Sequence, residues 1–429
     1  MIALIAEAVE DRSSRGIAAA VSRLVTAGDL PSGARLPTVR DVARELGVSP
    51  TTVSEAWQSL LRAGAIQTRG RSGTFVAALD RPRLRYTQLG GPALARDLSS
   101  GVPDHDLLPD LTEALRRVGD GRLTSSYLDA PVLPALEEVL RERWPFAPES
   151  VTVVDGALDA LDRIIGATVR FGDRVVVENP TFPPLLDLLD AAGATVIGLA
   201  DLRDADPMAI FLQPRAHNPT GTSMSAADVA ALDARLPEDV IIVEDDHAGD
   251  IATAAPISLG TFRPDRTVHI AGFSKSHGPD LRLAAVGGPS KIIEAVKARR
   301  LLGPGWSSRL LQAVLLDLLT SPASIEQVAA ARAEYERRRT SLGAELRRRG
   351  VEATADDGIN LWMTVHDQQH TLVTLAGHGI SVAPGAPFLV TPSATDHVRV
   401  TAGLVADGFD ELATILASAA QPMENRRFR

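Results

Sequence analysis

The chain has 429 residues, of which 45% are hydrophobic and 23% are charged. This balance is typical of a globular protein and excludes a disordered or collagen-like chain. At this length we expect roughly two or three domains. No run reaches the roughly 18 apolar residues of a membrane-spanning helix, and the acidic start is not that of a secretory signal. The absence of cysteine excludes disulfides and thiolate sites, so we expect a cytoplasmic protein.

Charge and amine content differ along the chain. Residues 1–79 carry nine Arg and seven Asp or Glu, whereas the remainder carries 35 basic and 47 acidic residues, within a net charge of -10. A slightly basic head on an acidic body indicates contact with nucleic acid at the head. The chain has 41 Arg but three Lys, so chemistry that needs a primary amine has three candidates, Lys275, Lys291 and Lys297.

The head begins with two predicted helices. Residues 16–27 place apolar side chains at helical spacing, and Pro31-Ser-Gly33 interrupts this pattern. Thr38 fits the N-cap of a second, short helix, because Asp41 stands at its third position, and Gly47 fits its end.

A third predicted helix opens at Ser49 and Pro50, because serine caps helices and proline is tolerated in their first turn. Its polar face presents the hydroxyls of Thr51 and Thr52. Its other face carries apolar residues at helical spacing, namely Val53, Ala56, Trp57, Leu60 and Leu61. We expect this helix to enter the major groove of DNA and to offer its hydroxyl groups to bases and phosphates.

Two strand-like segments follow, Ile66–Thr68 and Thr74–Val76, and predict a hairpin with a basic tip that includes Arg69 and Arg71. Helices joined by a short turn and followed by a basic hairpin are typical of a winged helix-turn-helix, whose wing reaches phosphate or the minor groove. The alternative is a small helical bundle that binds protein or no partner.

Residues 15–77 resemble the GntR family of bacterial regulators. The matching segments are Leu30-Pro-Ser-Gly-Ala-Arg-Leu-Pro-Thr-Val-Arg40, Leu46-Gly-Val-Ser-Pro-Thr-Thr-Val53 and Gly70-Arg-Ser-Gly-Thr-Phe-Val76. The resemblance implies DNA contacts by Arg40, Ser49, Thr51, Thr52, Arg69 and Arg71. Pro50 departs from the arginine that many members carry, which leaves the base preference of the operator open.

Residues 79–96 show neither helical nor alternating periodicity and include Gly90-Gly91-Pro92, so we interpret them as a linker. A surface loop within one domain is the alternative. We therefore divide the chain into a DNA-binding head (1–78), this linker and a body (97–429). The C-terminal part of the body, about 325–420, is expected to form a smaller α+β subdomain.

The body alternates β-branched runs with helical stretches, which predicts an α/β fold with a largely parallel sheet covered by helices on both faces. The predicted strands are Val151–Val154, Arg174–Val177, Thr195–Leu199, Ala209–Leu212, Val240–Glu244 and Val268–Gly272. Ligands of such sheets bind at the carboxyl ends of the strands. The residues that follow each strand are therefore the functional candidates.

Chemically distinctive residues follow these strands. A glycine turn at Asp155-Gly156 opens a helix, which suits a phosphate group but also an ordinary turn. Phe182 and Asn218 follow two other strands, and Glu244-Asp-Asp-His247 follows a fourth. Consecutive carboxylates near a core need a cation or a protonated partner, and a metal site is an alternative for this cluster.

Lys275 and Arg282 follow the last strand and complete a set that suits pyridoxal 5′-phosphate (PLP). The set comprises a phosphate cradle, an aromatic plate, an amide, a carboxylate, an amine and a second cation. The aldehyde of PLP needs a lysine amine for a Schiff base, and its ring nitrogen needs a carboxylate partner to stay protonated. Because Lys291 and Lys297 lie in a charged stretch typical of a solvated surface, Lys275 is the best-placed amine.

The body resembles the fold-type-I, aspartate-aminotransferase-like family of PLP proteins. The motifs that carry the resemblance are Asn218-Pro-Thr-Gly, Glu244-Asp-Asp and Ser274-Lys275 with Arg282. The resemblance implies that Lys275 forms the Schiff base, Asp245 pairs with the ring nitrogen and Asn218 bonds the ring oxygen. It also implies that Phe182 stacks on the ring. The residues implied in phosphate binding are Gly156, Ala157, Leu158 and Arg282.

The same resemblance implies two further contacts and shows three departures. Arg399 matches the arginine that binds a substrate carboxylate, and Tyr127 matches a residue that reaches the partner subunit's site. His247 stands beside the cofactor oxygen where tyrosine is usual, Gly272 where a phosphate-binding serine is common, and Leu128 where glycine is frequent. We expect cofactor binding to survive these departures because several anchors remain.

Head and body together resemble the MocR group of transcription regulators, in which a GntR-like head is fused to an aminotransferase-like domain. The resemblance implies a head-to-tail homodimer that binds operator DNA and senses PLP or a small amino compound. The alternatives are an active aminotransferase with an accessory head and a DNA-binding protein whose body only dimerises and holds no cofactor.

Overall fold

The computed structural model describes residues 1–31, 33–62, 65–68, 73–76, 84–89, 94–119, 126 and 129–422. The head consists of α1 (Ile2–Ala8), α2 (Ser14–Ala27), α3 (Val39–Leu46), α4 (Pro50–Arg62) and a hairpin of β1 (Ile66–Thr68) and β2 (Thr74–Val76). This confirms the predicted winged helix-turn-helix, to which α1 adds a helix that the sequence patterns did not predict. Arg69 and Arg71, at the predicted tip of the hairpin, lie outside the described residues.

Single side chains cap the helices of the head. Oγ1 of Thr38 accepts a hydrogen bond from the amide of Asp41 at 3.2 Å and caps α3, which Gly47 ends with a left-handed φ of 65°. Oγ of Ser49 accepts a hydrogen bond from the amide of Thr52 at 3.1 Å and caps α4. These caps fix the turn between α3 and α4. The helices pack around a core that includes Ile5, Ile17, Val21, Val53, Trp57 and Leu60.

The body contains two sheets, and the chain first enters the C-terminal one with β3 (Arg96–Leu98) before it builds the large one. The strands of the large sheet are β4 (Ser150–Val154), β5 (Arg174–Val177), β6 (Thr195–Gly198), β7 (Ala209–Leu212), β8 (Ile241–Asp246), β9 (Thr267–Gly272) and β10 (Ala284–Gly288). Their order within the described residues is β4-β10-β9-β8-β7-β5-β6.

Most of this sheet is parallel, as predicted, but β10 runs antiparallel to both β4 and β9. The segment Ala284–Gly288 was not predicted as a strand, because alanine and glycine have low β-propensity. Its two neighbours determine its conformation, since β10 pairs along its whole length with β4.

Helices cover both faces of the large sheet and bury its β-branched residues. The helices of the body are α5 (Thr112–Gly119), α6 (Pro134–Glu142), α7 (Ala157–Thr168), α8 (Pro183–Ala191), α9 (Ala226–Asp233), α10 (Ser290–Leu301), α11 (Arg309–Thr320), α12 (Pro322–Arg348), α13 (Gln368–Gly377) and α14 (Phe409–Ala420). In the part of the chain that the structure describes, no helix combines the length and apolarity needed to cross a membrane.

The C-terminal sheet forms the smaller α+β unit that the sequence predicted. Its later strands are β11 (Ala353–Thr354), β12 (Leu361–Val365), β13 (Ile380–Pro384) and β14 (Asp396–Val400). They are arranged in the order β11-β12-β14-β13-β3, and α12, α13 and α14 pack against them. The parallel pairing of β3 with β13 therefore ties Arg96, the last residue of the predicted linker, to this sheet.

The head contacts the body at the turn that follows α7. Arg15, at the start of α2, forms an ion pair with Asp173, and its Nε donates a hydrogen bond to the carbonyl of Phe171 at 3.1 Å. Phe171 itself packs against the apolar core of the head. The contact combines an ion pair with apolar packing and joins α2, the helix that precedes the helix-turn-helix, to an αβ turn of the large sheet.

Candidate cofactor site and DNA-binding surface

Asp245 lies near the carboxyl end of β8, in the middle of the large sheet. Its Oδ2 accepts a hydrogen bond from Nε2 of Gln213 at 2.8 Å, whereas its buried Oδ1 has no hydrogen-bond partner within the described ranges. Burial raises the pKa of this carboxyl group. A buried carboxylate oxygen without a donor is costly, so the position favours a ligand with a protonated nitrogen.

Gln213 connects Asp245 to two neighbouring strand ends. Its side-chain oxygen accepts a hydrogen bond from the backbone amide of Asn218 at 2.9 Å. Its own backbone amide donates a hydrogen bond to Oε2 of Glu178 at 2.7 Å. Burial raises the pKa of Glu178 to about 8 and lowers the pKa of His217, whose Nε2 lies 3.4 Å from that carboxyl group, to about 3. Both groups are therefore neutral near pH 7, so neither places a charge beside Gln213.

Lys275 follows β9, and its Nζ donates a hydrogen bond to the carbonyl of Gly101 at 2.5 Å. Burial, assisted by the positive charge of Arg399, lowers the pKa of this amine to about 8. A lowered pKa increases the fraction of neutral amine, which is the form that attacks an aldehyde. The other two lysines of the chain, Lys291 and Lys297, lie on α10 instead.

A turn suited to an anion lies at the start of α7. Gly156 precedes this helix with a φ of 99°, a conformation that favours glycine, and Ala157 and Leu158 form the first turn. Arg282 approaches so closely that a Cβ on Gly156 would lie 3.2 Å from its Nη2. The amides of a first helical turn together with a guanidinium group suit a phosphate.

Arg399 and Asn218 meet at the junction of the two sheets. Nη1 of Arg399 donates a hydrogen bond to Oδ1 of Asn218 at 3.1 Å, and its Nη2 donates to the carbonyl of Ser99. Phe182, directly before α8, lines the same small cavity as Asp245. Residues from distant parts of the sequence thus converge on one site.

His247 occupies the place where the related family has tyrosine. Its Nε2 donates a hydrogen bond to the carbonyl of Ala216 at 2.9 Å, and burial lowers its pKa, so the ring is neutral near pH 7. Gly272 stands where the related family commonly has serine. A Cβ at this position would lie 3.3 Å from the carbonyl of Asp246, and this tight contact favours glycine. Tyr127 lies outside the described residues.

The residues of this site fit PLP on structural grounds. The buried Oδ1 of Asp245 needs a donor such as a protonated pyridine nitrogen, and Lys275 supplies an amine of lowered pKa. The turn at Gly156 suits the phosphate group. The metal alternative for Glu244-Asp-Asp-His247 gains no support, since the described residues contain no group of three or more His, Asp or Glu that could hold a metal ion.

The DNA-binding candidates of the head lie on α3 and α4. Arg40 and Thr51 are exposed, and Arg40 has no side-chain partner in the described part of the head. The hydroxyls of Ser49 and Thr52 lie 2.8 Å apart and bond each other, so they also serve the cap of α4. Arg40 and Thr51 are therefore the side chains that the fold leaves most free for DNA.

Comparison with known proteins follows the same division. Residues 96–416 match the family described as aminotransferase class I and II, and residues 13–76 match the bacterial regulatory proteins of the gntR family. The vitamin B6 salvage pathway transcriptional repressor PtsJ of Salmonella typhimurium is 33% identical, over 97% of this chain and 99% of PtsJ. The probable rhizopine catabolism regulatory protein MocR of Rhizobium meliloti is 28% identical over 69% of each chain. The chain belongs to the MocR-type regulators.

Solved structures show the same fold for the body of this MocR-type regulator. Aspartate aminotransferase from Thermus thermophilus, solved with maleate, is 22% identical with a TM-score of 0.69, over 80% of this chain and all of the enzyme. The α-aminoadipate aminotransferase LysN from the same species, solved with N-(5′-phosphopyridoxyl)-L-leucine, is 19% identical with a TM-score of 0.68, over 78% of this chain and 97% of LysN. The predicted fold is confirmed, and PLP is the cofactor of this class of domain.

Sequence reasoning missed three groups that shape the site of this MocR-type regulator, namely Gln213 and the carbonyls of Ser99 and Gly101. Gln213 directly follows β7, so the rule that found Asn218 could also have identified it. The carbonyls of Ser99 and Gly101 bind Arg399 and Lys275 from a segment far away in the sequence, and no local pattern could have identified them.

Proposed function

We propose that this MocR-type regulator binds operator DNA through residues 1–78 and senses PLP, or a small amino compound that reacts with it, through residues 97–429. Residues 79–96 act as the linker. The observation that carries the proposal is the buried Oδ1 of Asp245, which has no donor within the described residues. A site that needs a protonated ring nitrogen, in a chain whose head exposes Arg40, is what a cofactor-responsive regulator requires.

In this proposal each group of the site has a separate task. Lys275 binds the aldehyde carbon of PLP, Asp245 keeps the ring nitrogen protonated and Asn218 donates to the ring oxygen. Phe182 stacks on the ring, and His247 lies beside it as a neutral group. When bound, PLP supplies an electrophilic carbon and an electron sink. The residues that bind the phosphate are Gly156, Ala157, Leu158 and Arg282.

The choice of effector depends on Arg399. A guanidinium group binds a carboxylate through two parallel hydrogen bonds. Arg399 can therefore bind the carboxylate of an amino acid when it releases the side-chain oxygen of Asn218, to which it donates in this structure. PtsJ is named for the vitamin B6 salvage pathway, and this supports PLP itself as the effector of the present chain. An amino acid would then act as a second effector on the same site.

An effector changes DNA binding only if it binds one arrangement of the heads more tightly than another. We propose a head-to-tail homodimer as the unit that adopts these arrangements, with Tyr127 reaching the site of the partner subunit. Two heads then read two half-sites, at a spacing set by the dimer. A regulator that reads bacterial operators in this way works in the cytoplasm.

The test is a mobility-shift titration of the protein with the DNA upstream of its own gene, with and without PLP. We expect PLP to change the DNA affinity of the wild type and of the control Lys297→Ala. Lys275→Ala should bind DNA but lose the response, because the covalent contact is missing. An equal response in Lys275→Ala would contradict the assignment.

An active aminotransferase is the second candidate, because Lys275 and Arg399 lie in one site as catalysis requires. Single-turnover spectroscopy with a panel of amino acids tests it. Release of a keto acid, together with a DNA affinity that PLP does not alter, would favour the enzyme over the regulator.

A further inference from the structure

A second cavity lies on the opposite side of the large sheet from Asp245. It has a volume of about 370 Å³ and is lined by Asp246, whose side chain points to the other face because successive residues of a strand alternate. Its other walls come from α6, from the loop 252–257, from β9 and from α12. None of the residues that we assign to PLP lines it.

The polar part of this cavity has an excess of positive charge. Arg143 pairs with Asp250 at 2.6 Å, and Arg215 pairs with Asp246 in a buried ion pair. Arg332, on α12, also lines the cavity and has no ion-pair or hydrogen-bond partner within the described residues. The two pairs cancel their charges, so one guanidinium group remains for an anion.

The remaining wall is apolar and includes an aromatic ring. Trp144 is 8% exposed and packs edge-on against His269, with 5.4 Å between the ring centroids. Other apolar residues of the wall are Leu140, Pro256, Ile257 and Phe273. Small-molecule sites typically combine such a wall with a few polar groups, and their volumes begin at about 300 Å³.

We propose that this cavity binds a small organic anion, a carboxylate or phosphate monoester with a flat apolar body. Arg332 binds the anionic group, Arg143 adds a hydrogen bond to it while still paired with Asp250, and the ring of Trp144 lies along the apolar body. Arg332 is exposed and therefore stands at the entrance, where it can meet an anion before the rest of the ligand is buried.

The position of the cavity connects such a ligand to the PLP site. Asp246 directly follows Asp245 on β8, and Arg215 belongs to the loop that carries Asn218. A ligand that shifts the Arg215–Asp246 pair therefore also acts on Asp245 and on the loop of Asn218, two of the groups that we assign to PLP. The proposal concerns a site separate from the one that binds PLP and does not depend on the response of DNA binding to PLP.

Calorimetric titration of the full chain with phenyl phosphate tests the proposal. The protein is first loaded with PLP and reduced with borohydride, so that the PLP site cannot exchange its ligand. We expect one saturable site on the wild type, with affinity about tenfold lower in Arg332→Gln, the scale of one charged hydrogen bond. Arg347→Gln, an exposed arginine on the same helix, is the matched control and should bind as the wild type does.

Three further measurements make the outcome decisive. Arg143→Gln should also weaken binding, and inorganic phosphate and phenol should each bind more weakly than phenyl phosphate, because each lacks one half of the ligand. The proposal is wrong if the wild type shows no saturable binding, if Arg332→Gln binds as tightly as Arg347→Gln, or if inorganic phosphate binds as well as phenyl phosphate. If borohydride fixes no PLP, a weaker binding of phenyl phosphate by Arg332→Gln still identifies this cavity.

Discussion

Nε2 of Gln213 donates a hydrogen bond to Oδ2 of Asp245 at 2.8 Å, and this contact turns the other carboxylate oxygen of Asp245 toward a buried space without a donor. The same glutamine accepts a hydrogen bond from the amide of Asn218 at 2.9 Å. One neutral side chain therefore positions two of the groups that we assign to PLP.

Gln213→Leu should weaken the binding of PLP without unfolding the body. Leucine keeps the volume but cannot donate to Asp245, and the loss of one hydrogen bond to a charged group corresponds to about tenfold in affinity. The measurement is an absorbance titration of the apoprotein with PLP. Gln312→Leu is the control, because Gln312 is also buried with its amide fully bonded, but on α11. Equal affinities of the two variants would show that Gln213 does not position Asp245.

The reaction of the apoprotein with PLP should accelerate with pH around a midpoint near 8. Burial, assisted by Arg399, lowers the pKa of Lys275 to about 8 from an ordinary value of 10.5, so the neutral, reactive amine increases as the pH rises through that value. Stopped-flow absorbance between pH 6 and about 10 measures the profile. A midpoint above about 10 would mean that the amine titrates like an exposed lysine.

Arg399→Gln should move that midpoint to higher pH, because it removes a positive charge that disfavours the protonated amine of Lys275. The variant should still bind PLP, since the phosphate turn and Asp245 are unchanged. It should lose any response to an amino-acid effector, measured as the shift in DNA affinity. An unchanged response would exclude Arg399 as the carboxylate contact.

Local sequence patterns predicted the parts of this fold that depend on local chemistry. The caps at Thr38 and Ser49 and the two strands that Asn218 and Lys275 follow are each set by a few neighbouring residues. Helix α1 was not predicted, because its seven residues, Ile2–Ala8, are too few to show a helical period.

Long-range pairing explains what the sequence could not predict. The strand Arg96–Leu98 is short and begins at the last residue of the segment interpreted as a linker, yet it pairs with Ile380–Pro384 far along the chain. The hydrogen bond from Arg399 to the carbonyl of Ser99 spans 300 residues. Periodicity and motif spacing report neighbours along the chain, so contacts of this kind leave no local signal.

Arg40→Ala should weaken DNA binding and reduce its dependence on salt. If Arg40 contacts one phosphate, the slope of log affinity against log salt concentration should fall by about 0.9. The measurement is fluorescence anisotropy with labelled operator DNA at several salt concentrations. Arg23→Ala is the control, since Arg23 lies on α2 and donates to the carbonyl of Ala8 at 3.2 Å. Identical slopes for Arg40→Ala and the wild type would exclude the phosphate contact.

Arg15→Ala should uncouple DNA binding from PLP while leaving each activity intact. Arg15 pairs with Asp173 and donates to the carbonyl of Phe171, so we expect it to transmit the position of the body to α2. The pair is partly exposed, so its loss should change stability by less than about 1 kcal/mol. We expect unchanged PLP affinity and a smaller effect of PLP on DNA affinity, measured by absorbance and anisotropy titrations.

Three further variants separate this coupling from a general loss of charge. Asp173→Asn keeps an acceptor for the amide of Arg170, which now bonds Oδ2 at 2.6 Å, but removes the negative charge that Arg15 meets. The double variant that combines Arg15→Ala with Asp173→Asn should therefore behave like either single variant, because both substitutions break the same ion pair. Arg12→Ala changes a neighbouring arginine and should keep the full response to PLP. If Arg15→Ala responds to PLP as Arg12→Ala does, the contact between head and body does not carry the signal.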